Sequence, residues 1–294
     1  MPKDTYMPNN AQRREEALNS LKRELKARDR KEKTRPLGVV AASLVVILAL
    51  VGGIYFFATR DNSAEKVVAE ESSTAATSSQ DKTPEATALS GKRKEALPAS
   101  VQCKYEDDGR DDNGAKAPSG KDVSTKGTVQ VTFKTNQGDI VMDLDRSLAP
   151  CTVQAITSLA KSGFYDDTIC HRMTSGGLNV LQCGDPTGTG SGGPGFSFAN
   201  EYPTDEVDSS AGKKPVTYPK GSIAMANSGK DTNGSQFFIN YADSMLAPDY
   251  TYFGNLTDQG QKTLDKIAKI GVEGGATDGK PAEEIKISTA TVSS

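Results

Sequence analysis

The chain has 294 residues, with 35 Lys and Arg against 38 Asp and Glu, a single histidine, four cysteines and no tryptophan. Charge is unevenly placed: residues 1–36 carry 11 Lys/Arg against 6 Asp/Glu, a net of +5, so everything after them sums to −8 against a whole-chain −3. The acidic main part argues against nucleic-acid binding, and one histidine argues against a Ser-His-Asp or Cys-His hydrolase and, with no CxxC pair, against a zinc site.

The basic segment 1–36 holds Leu18, Leu21 and Leu25 among charged residues, which predicts one short amphipathic helix with a narrow apolar stripe. From Leu37 to Ala58 no charge occurs, and Arg35 and Arg60 flank the run. As a helix it reaches roughly 33 Å, enough for a bilayer core of about 30 Å. It is longer than the apolar region of a cleaved signal peptide and ends in a poor cleavage site, so it reads as an uncleaved transmembrane helix. The Lys/Arg excess before it places the N-terminus in the cytoplasm and the C-terminal part outside the cell membrane. Residues 59–126 read as a flexible linker, because 61–100 have few large apolar residues to offset chain entropy. Cys103 is able to pin the end of that linker to the domain beyond it.

Globular patterning begins at residue 127 and runs to 294. Val129, Val131 and Phe133 alternate with polar residues, as do Ile140, Met142 and Leu144 across a turn at Asn136–Asp139, which predicts a β-hairpin. Pro150 then opens a helix whose face is Val153, Ile156, Leu159 and Ala160, stopped by Gly163. Short strands are expected near 168–173, 178–182, 222–226, 236–240 and 251–254, followed by a helix near 261–270 and a last strand at 284–289. Many short strands with two helices and glycine-rich connections predict a mainly β fold, a barrel capped by helices.

Two runs carry candidate chemistry. Cys170-His171-Arg172 precedes a turn and then Val180-Leu181-Gln182-Cys183-Gly184-Asp185-Pro186; on paired strands Arg172 and Gln182 project to one side. In Asn233-Gly234-Ser235-Gln236-Phe237-Phe238-Ile239, alternation puts Gln236 and Phe238 on one face and turns Phe237 inward. His171 faces away from Arg172 and reads as a hydrogen-bonded structural residue. The glycine-rich loop 184–195 lacks a Gly-Lys-Ser/Thr ending and a following helix, so it is read as tight backbone rather than a phosphate cradle. All four cysteines lie beyond the apolar run, where disulfides persist. Cys170–Cys183 is slightly favoured as a cross-strand pair, with Cys151 and Cys103 as competing partners.

His171-Arg172, Leu181–Gly190 and Asn233–Ile239, in this order and spacing, together with Tyr252-Phe253-Gly254, resemble the signatures of the cyclophilin family over about 127–290. The anchor and cysteine placement are similar to exported actinobacterial cyclophilins. The resemblance implies an eight-stranded closed antiparallel β-barrel capped by two α-helices, with a shallow groove on its outer face. It implies peptidyl-prolyl cis-trans isomerase activity on Pro-containing segments of exported proteins, with no cofactor and no metal. Arg172 and Gln182 would be catalytic. Phe238 would floor the proline pocket, with Leu246 and Phe253 in its walls, and Ala226, Asn227 and Gln236 would line the peptide edge. Tyr250 stands where many relatives carry histidine. Asn179 and Val180 replace the usual Phe-Met, which makes one wall more polar unless Leu178 swings in. Met245 takes the place of a tryptophan beside Leu246, from which weak cyclosporin binding is expected. The alternative reading, kept open by Asn179, is a cyclophilin-fold module that binds Pro-containing peptides with little turnover.

Overall fold

The structure, a computed structural model, describes residues 86–207 and 214–293. The apolar run 37–58, the amphipathic stripe and the segment 59–85 lie outside the described residues. Among the described residues no helix is long and apolar enough to cross a membrane.

An N-terminal arm carries three two-residue strands, β1 (Ser100–Val101), β2 (Glu106–Asp107) and β3 (Val123–Ser124). The hairpin follows as β4 (Thr128–Thr135) and β5 (Gly138–Asp145), paired from Thr128↔Asp145 to Thr135↔Gly138. Val129, Val131, Phe133, Ile140, Met142 and Leu144 are all buried, so the period-2 pattern marks the core face. Val141 is buried as well, because a helix covers the other side of β5.

Helix α1 (Pro150–Lys161) buries Val153, Ile156, Leu159 and Ala160 as their spacing predicts. Its N-cap, Ala149, has no side chain able to cap, yet its first N–H groups are not orphaned. The buried Glu201 accepts from Cys151 N at 3.1 Å and from Thr152 N at 2.8 Å, and Thr152 Oγ1 donates to it at 2.7 Å.

The remaining strands are β6 (Ile169–Cys170), β7 (Arg172–Thr174), β8 (Val180–Cys183), β9 (Phe196–Ser197), β10 (Val216–Tyr218), β11 (Ser222–Met225), β12 (Phe237–Asn240), β13 (Ser244–Leu246) and β14 (Tyr252–Leu256). Helix α2 (Asp258–Ile270) starts three residues earlier than its apolar pattern suggests, because Thr257 caps it by accepting from Gly260 N at 3.2 Å. Gly260 is also where α2 comes closest to β5: a Cβ there would lie 2.3 Å from the Val141 carbonyl oxygen. Strands β15 (Asp278–Gly279) and β16 (Ile285–Ser293) end the chain.

Among the described residues one curled sheet joins ten of these segments in the order β15-β7-β8-β12-β11-β14-β5-β4-β16-β6. That count differs from the eight strands expected. His171 divides one extended segment into β6 and β7, which pair with β16 and β8 respectively, and β15 adds a short edge. The core fills the sheet's concave side, where Phe237 packs its ring against Phe133 and Tyr165 at 5.6 and 6.1 Å.

Residues 86–126, expected within a flexible linker, are bound to the domain. Cys103 is disulfide-bonded to Cys151 in α1, and Tyr105 Oη donates to Cys151 O at 2.7 Å. The arm also adds β2 beside β9. The second disulfide, Cys170–Cys183, joins β6 and β8, the pairing favoured from the strand pattern.

Candidate active site

Four strands place the central side chains in one cross-strand row. Arg172 on β7 pairs with Gln182 on β8, Gln182 pairs with Phe238 on β12, and Phe238 pairs with Ala224 on β11. Directly paired residues share a face, so Arg172, Gln182 and Phe238 project together to the convex side of the sheet. Phe237, one residue away, points into the core.

The polar groups of this row form a directed chain of hydrogen bonds. Arg172 Nε and Nη2 donate to Asp278 Oδ1 and Oδ2, both at 2.7 Å. Its Nη1 donates to Gln182 Oε1 at 3.1 Å. Gln182 Nε2 donates to Gln236 Oε1 at 2.9 Å, and Gln236 Nε2 donates to the Gly190 and Gly192 carbonyls at 3.0 and 2.9 Å. Because the guanidinium can only donate, the orientation of both amides follows from it. One hydrogen on each Nη is left for a ligand. Asp278 keeps Arg172 firmly charged, and Arg172 in turn holds the Asp278 carboxyl below the usual carboxylate range.

The glycine-rich loop gives this chain its far anchor. Asp185 is fully buried at its base and accepts from Thr187 N, Gly190 N and Gly192 N at 2.7, 2.6 and 3.1 Å. A Cβ on Gly192 would lie 2.1 Å from Asp185 Oδ1, so this position needs glycine for space. The loop therefore binds a carboxylate of its own chain, in agreement with the structural reading of its glycines. His171 is buried nearby, and neither ring nitrogen has a hydrogen-bond partner among the described residues. Burial pushes its pKa down, with Asp185 opposing.

Beside Arg172 a cavity of about 130 Å³ is lined by Leu178, Val180, Gln182, Ala226, Asn227, Phe238, Leu246 and Tyr250. Phe238 is 5 % exposed and packs edge-on against Tyr250 with ring centroids 5.5 Å apart. Two expected wall residues are absent from this lining. Asn179 turns away: its Nδ2 donates to Asp243 O at 3.4 Å, its N–H to Ser244 Oγ at 3.0 Å, and Tyr241 N donates to its carbonyl at 3.0 Å. Leu178 takes the place in the wall. Phe253 is buried in the core instead, because β11 and β14 slip register between Ile223↔Gly254 and Ala224↔Tyr252, leaving Phe253 as the extra residue of a bulge.

Gln236 lies in a second cavity, of about 410 Å³, which shares Gln182, Ala226 and Asn227 with the first. Sequence reasoning missed two charged residues here. Asp278 comes from a short strand in a glycine-rich turn, and Arg110, a wall of the second cavity, comes from the arm. Neither sits in a periodic pattern, so nothing local marked them. Among the described residues no cluster of three or more His, Cys, Asp or Glu side chains is placed to hold a metal ion.

The family model described as cyclophilin type peptidyl-prolyl cis-trans isomerase/CLD matches residues 130–292. A protein of Mycobacterium leprae named "Probable peptidyl-prolyl cis-trans isomerase B" is 47% identical over 291 residues, covering 96% of this chain and 98% of its own. A protein of the same name from Mycobacterium tuberculosis is 52% identical over 174 residues, which are 58% of this chain and 56% of that relative's length. Among solved structures, a cyclophilin type isomerase of Cryptosporidium parvum, crystallised in the presence of the dipeptide Ala-Pro, has a TM-score of 0.46 and 35% identity, covering 56% of this chain and 99% of that one. The chain belongs to the cyclophilin-type peptidyl-prolyl cis-trans isomerase family.

Proposed function

We propose that this protein accelerates cis-trans isomerisation of X-Pro bonds, with Arg172 and Gln182 as catalytic residues. The observation that carries the reading is a guanidinium held by two partners at the rim of an apolar cavity floored by Phe238. Rotation about a peptide C–N bond meets a barrier of about 18–20 kcal/mol, because resonance gives that bond partial double-bond character. Breaking conjugation leaves a pyramidal proline nitrogen with a free lone pair. A donor aimed at that nitrogen is stronger in the transition state than in either ground state, which is the condition for catalysis. The cavity fixes the proline ring while the rest of the peptide turns, and neither a nucleophile nor a cofactor is required.

Gln182 keeps the guanidinium in plane. Ala226, Asn227 and Gln236 line the peptide's path between the two cavities, with Val180, Leu246 and Tyr250 around the ring. The binding-only alternative was argued from Asn179 in the wall, and the presence of Leu178 there instead supports the catalytic reading. Exchange NMR on a proline peptide tests the activity directly: cross-peaks between cis and trans forms at substoichiometric protein support it, and their absence despite binding favours the alternative.

We further propose that the curled sheet is a closed eight-stranded barrel capped by α1 and α2. Support comes from β6 and β7, the sheet's two sides of His171, which are consecutive in the chain; counted as one strand and with β15 set aside, they leave eight. The protein is proposed to be anchored by 37–58 with residues 1–36 cytoplasmic, the C-terminal domain outside, and exported proteins as its clients. The uncharged run, its basic flank and two disulfides support this topology. Protease added to spheroplasts should digest the domain; full protection would refute the orientation.

A further inference from the structure

The second cavity has a wall that the family domain does not supply. Residues 107–114 precede the family match, which begins at 130. Four aspartates bend this stretch by accepting the N–H two residues on: Asp107 from Gly109 at 2.8 Å, Asp108 from Arg110 at 3.0 Å, Asp111 from Asn113 at 2.9 Å and Asp112 from Gly114 at 2.8 Å. The bent segment is fastened to the glycine-rich loop. Asp108 N donates to Gly195 O at 3.2 Å, and the buried Asn113 Nδ2 donates to Gly193 O at 2.8 Å. The contact is close, since a Cβ on Gly195 would lie 2.6 Å from Asp112 Cα.

This docking carries Arg110 to the cavity of about 410 Å³ that adjoins the proline cavity through Gln182, Ala226 and Asn227. Every other residue lining it is uncharged at neutral pH. Asp108 Oδ2 takes Arg110 Nε at 2.9 Å and Nη2 at 2.5 Å, while Nη1 has no acceptor among the described residues. Asp107, Asp111 and Asp112 do not line the cavity, and one carboxylate oxygen of each accepts an N–H of its own turn. A peptide side chain entering this cavity therefore meets amide and hydroxyl groups and one cation with a donor to spare.

We propose that the arm completes the substrate groove and that Arg110 selects X-Pro segments carrying an acidic side chain near the proline. The proposal rests on the isomerase reading. Arg suits this role because its planar fork can hold Asp108 on one edge and present Nη1 to a second carboxylate. Arg110 is 47% exposed, so water screens the pair and the selectivity is modest, about threefold.

The test uses the full chain and proline peptides in which one residue, within three positions before or after the proline, is Glu, Gln or Lys. Exchange NMR gives kcat/KM for each. At one placement Glu should exceed Gln by about threefold, the Glu/Gln ratio should fall to one in Arg110→Gln, and Lys should become the preferred residue in Arg110→Glu. A ratio near one at every placement, or a ratio that survives Arg110→Gln, overturns the proposal. If the protein accelerates none of the peptides, the isomerase reading fails separately. The Glu/Gln ratio is then read from peptide dissociation constants by chemical-shift titration, with the same two outcomes.

Discussion

Arg172 is a strand arginine whose value lies in its partners. With both edges of the fork occupied by Asp278 and Gln182, the remaining N–H groups have few directions left, and that pre-organisation is what a transition-state donor needs. Asp278→Ala should therefore lower kcat about tenfold with a smaller change in KM, while Asp278→Asn, which keeps one acceptor, should retain more. Equal kcat in wild type and Asp278→Ala would remove Asp278 as a positioning residue. The sign of the pH effect follows from its lowered pKa. The ion pair is intact above the ordinary carboxylate value of about 3.9 and is lost as pH falls through the depressed one, so activity should show no Asp278 titration at neutral pH. Met245 is 53% exposed beside Leu246, so the groove has no tryptophan ring at its rim. Cyclosporin should bind weakly by calorimetry, and an affinity equal to that of tryptophan-bearing relatives would contradict this.

At the level of elements, helix α1 depends on groups far away in sequence. Its N-terminal N–H groups are capped by Glu201, and its second residue is stapled to the arm by Cys103–Cys151. Burial pushes the Glu201 carboxyl up to about 7, against the bonds from Thr152 and Cys151 and the nearby Arg93. A raised folded pKa means that the folded state holds a proton the unfolded chain has lost. This contribution to stability is full below about pH 4.5 and is lost as pH rises through about 7. The denaturation midpoint should accordingly fall between pH 5 and pH 7.5 in wild type and vary less in Glu201→Gln. Unchanged slopes in the two proteins would show that another group titrates. The disulfide closes a sequence separation of 48 residues, so Cys103→Ser with Cys151→Ser should cost about 4 kcal/mol by loop entropy, read from chemical denaturation. Retained stability would mean that Tyr105 and the β2–β9 pairing hold the arm without the bridge.

Over the whole molecule, the parts legible in the sequence were those with a period. The hairpin β4–β5, the apolar face of α1 and the opposed Phe237 and Phe238 each follow from alternation or helical spacing, and the runs around Arg172 and Gln236 gave the family. Short strands with no period were not legible: β10 and β13 have three residues each, and β15 has two. The cavity beside Arg172 is lined by Phe238 and Leu178 but not by Asn179 or Phe253. The turn before β8 decides between Leu178 and Asn179, and a bulge in β14 withdraws Phe253; both depend on register, which a linear pattern does not carry. The arm was read as the end of a linker that Cys103 could pin; the Cys103–Cys151 bridge does so, and bonds from Asp108 N and Asn113 Nδ2 to the glycine-rich loop bring Arg110 to the second cavity, which no local pattern marked.

The central claim is that a held guanidinium turns proline bonds over at this site. Exchange NMR on an Ala-Pro-containing peptide, comparing wild type with Arg172→Ala at matched peptide occupancy, tests it most directly. The account predicts catalysed cis-trans exchange in wild type and a fall of about 100-fold in the variant with binding largely kept. Equal catalysed rates in the two proteins would contradict it.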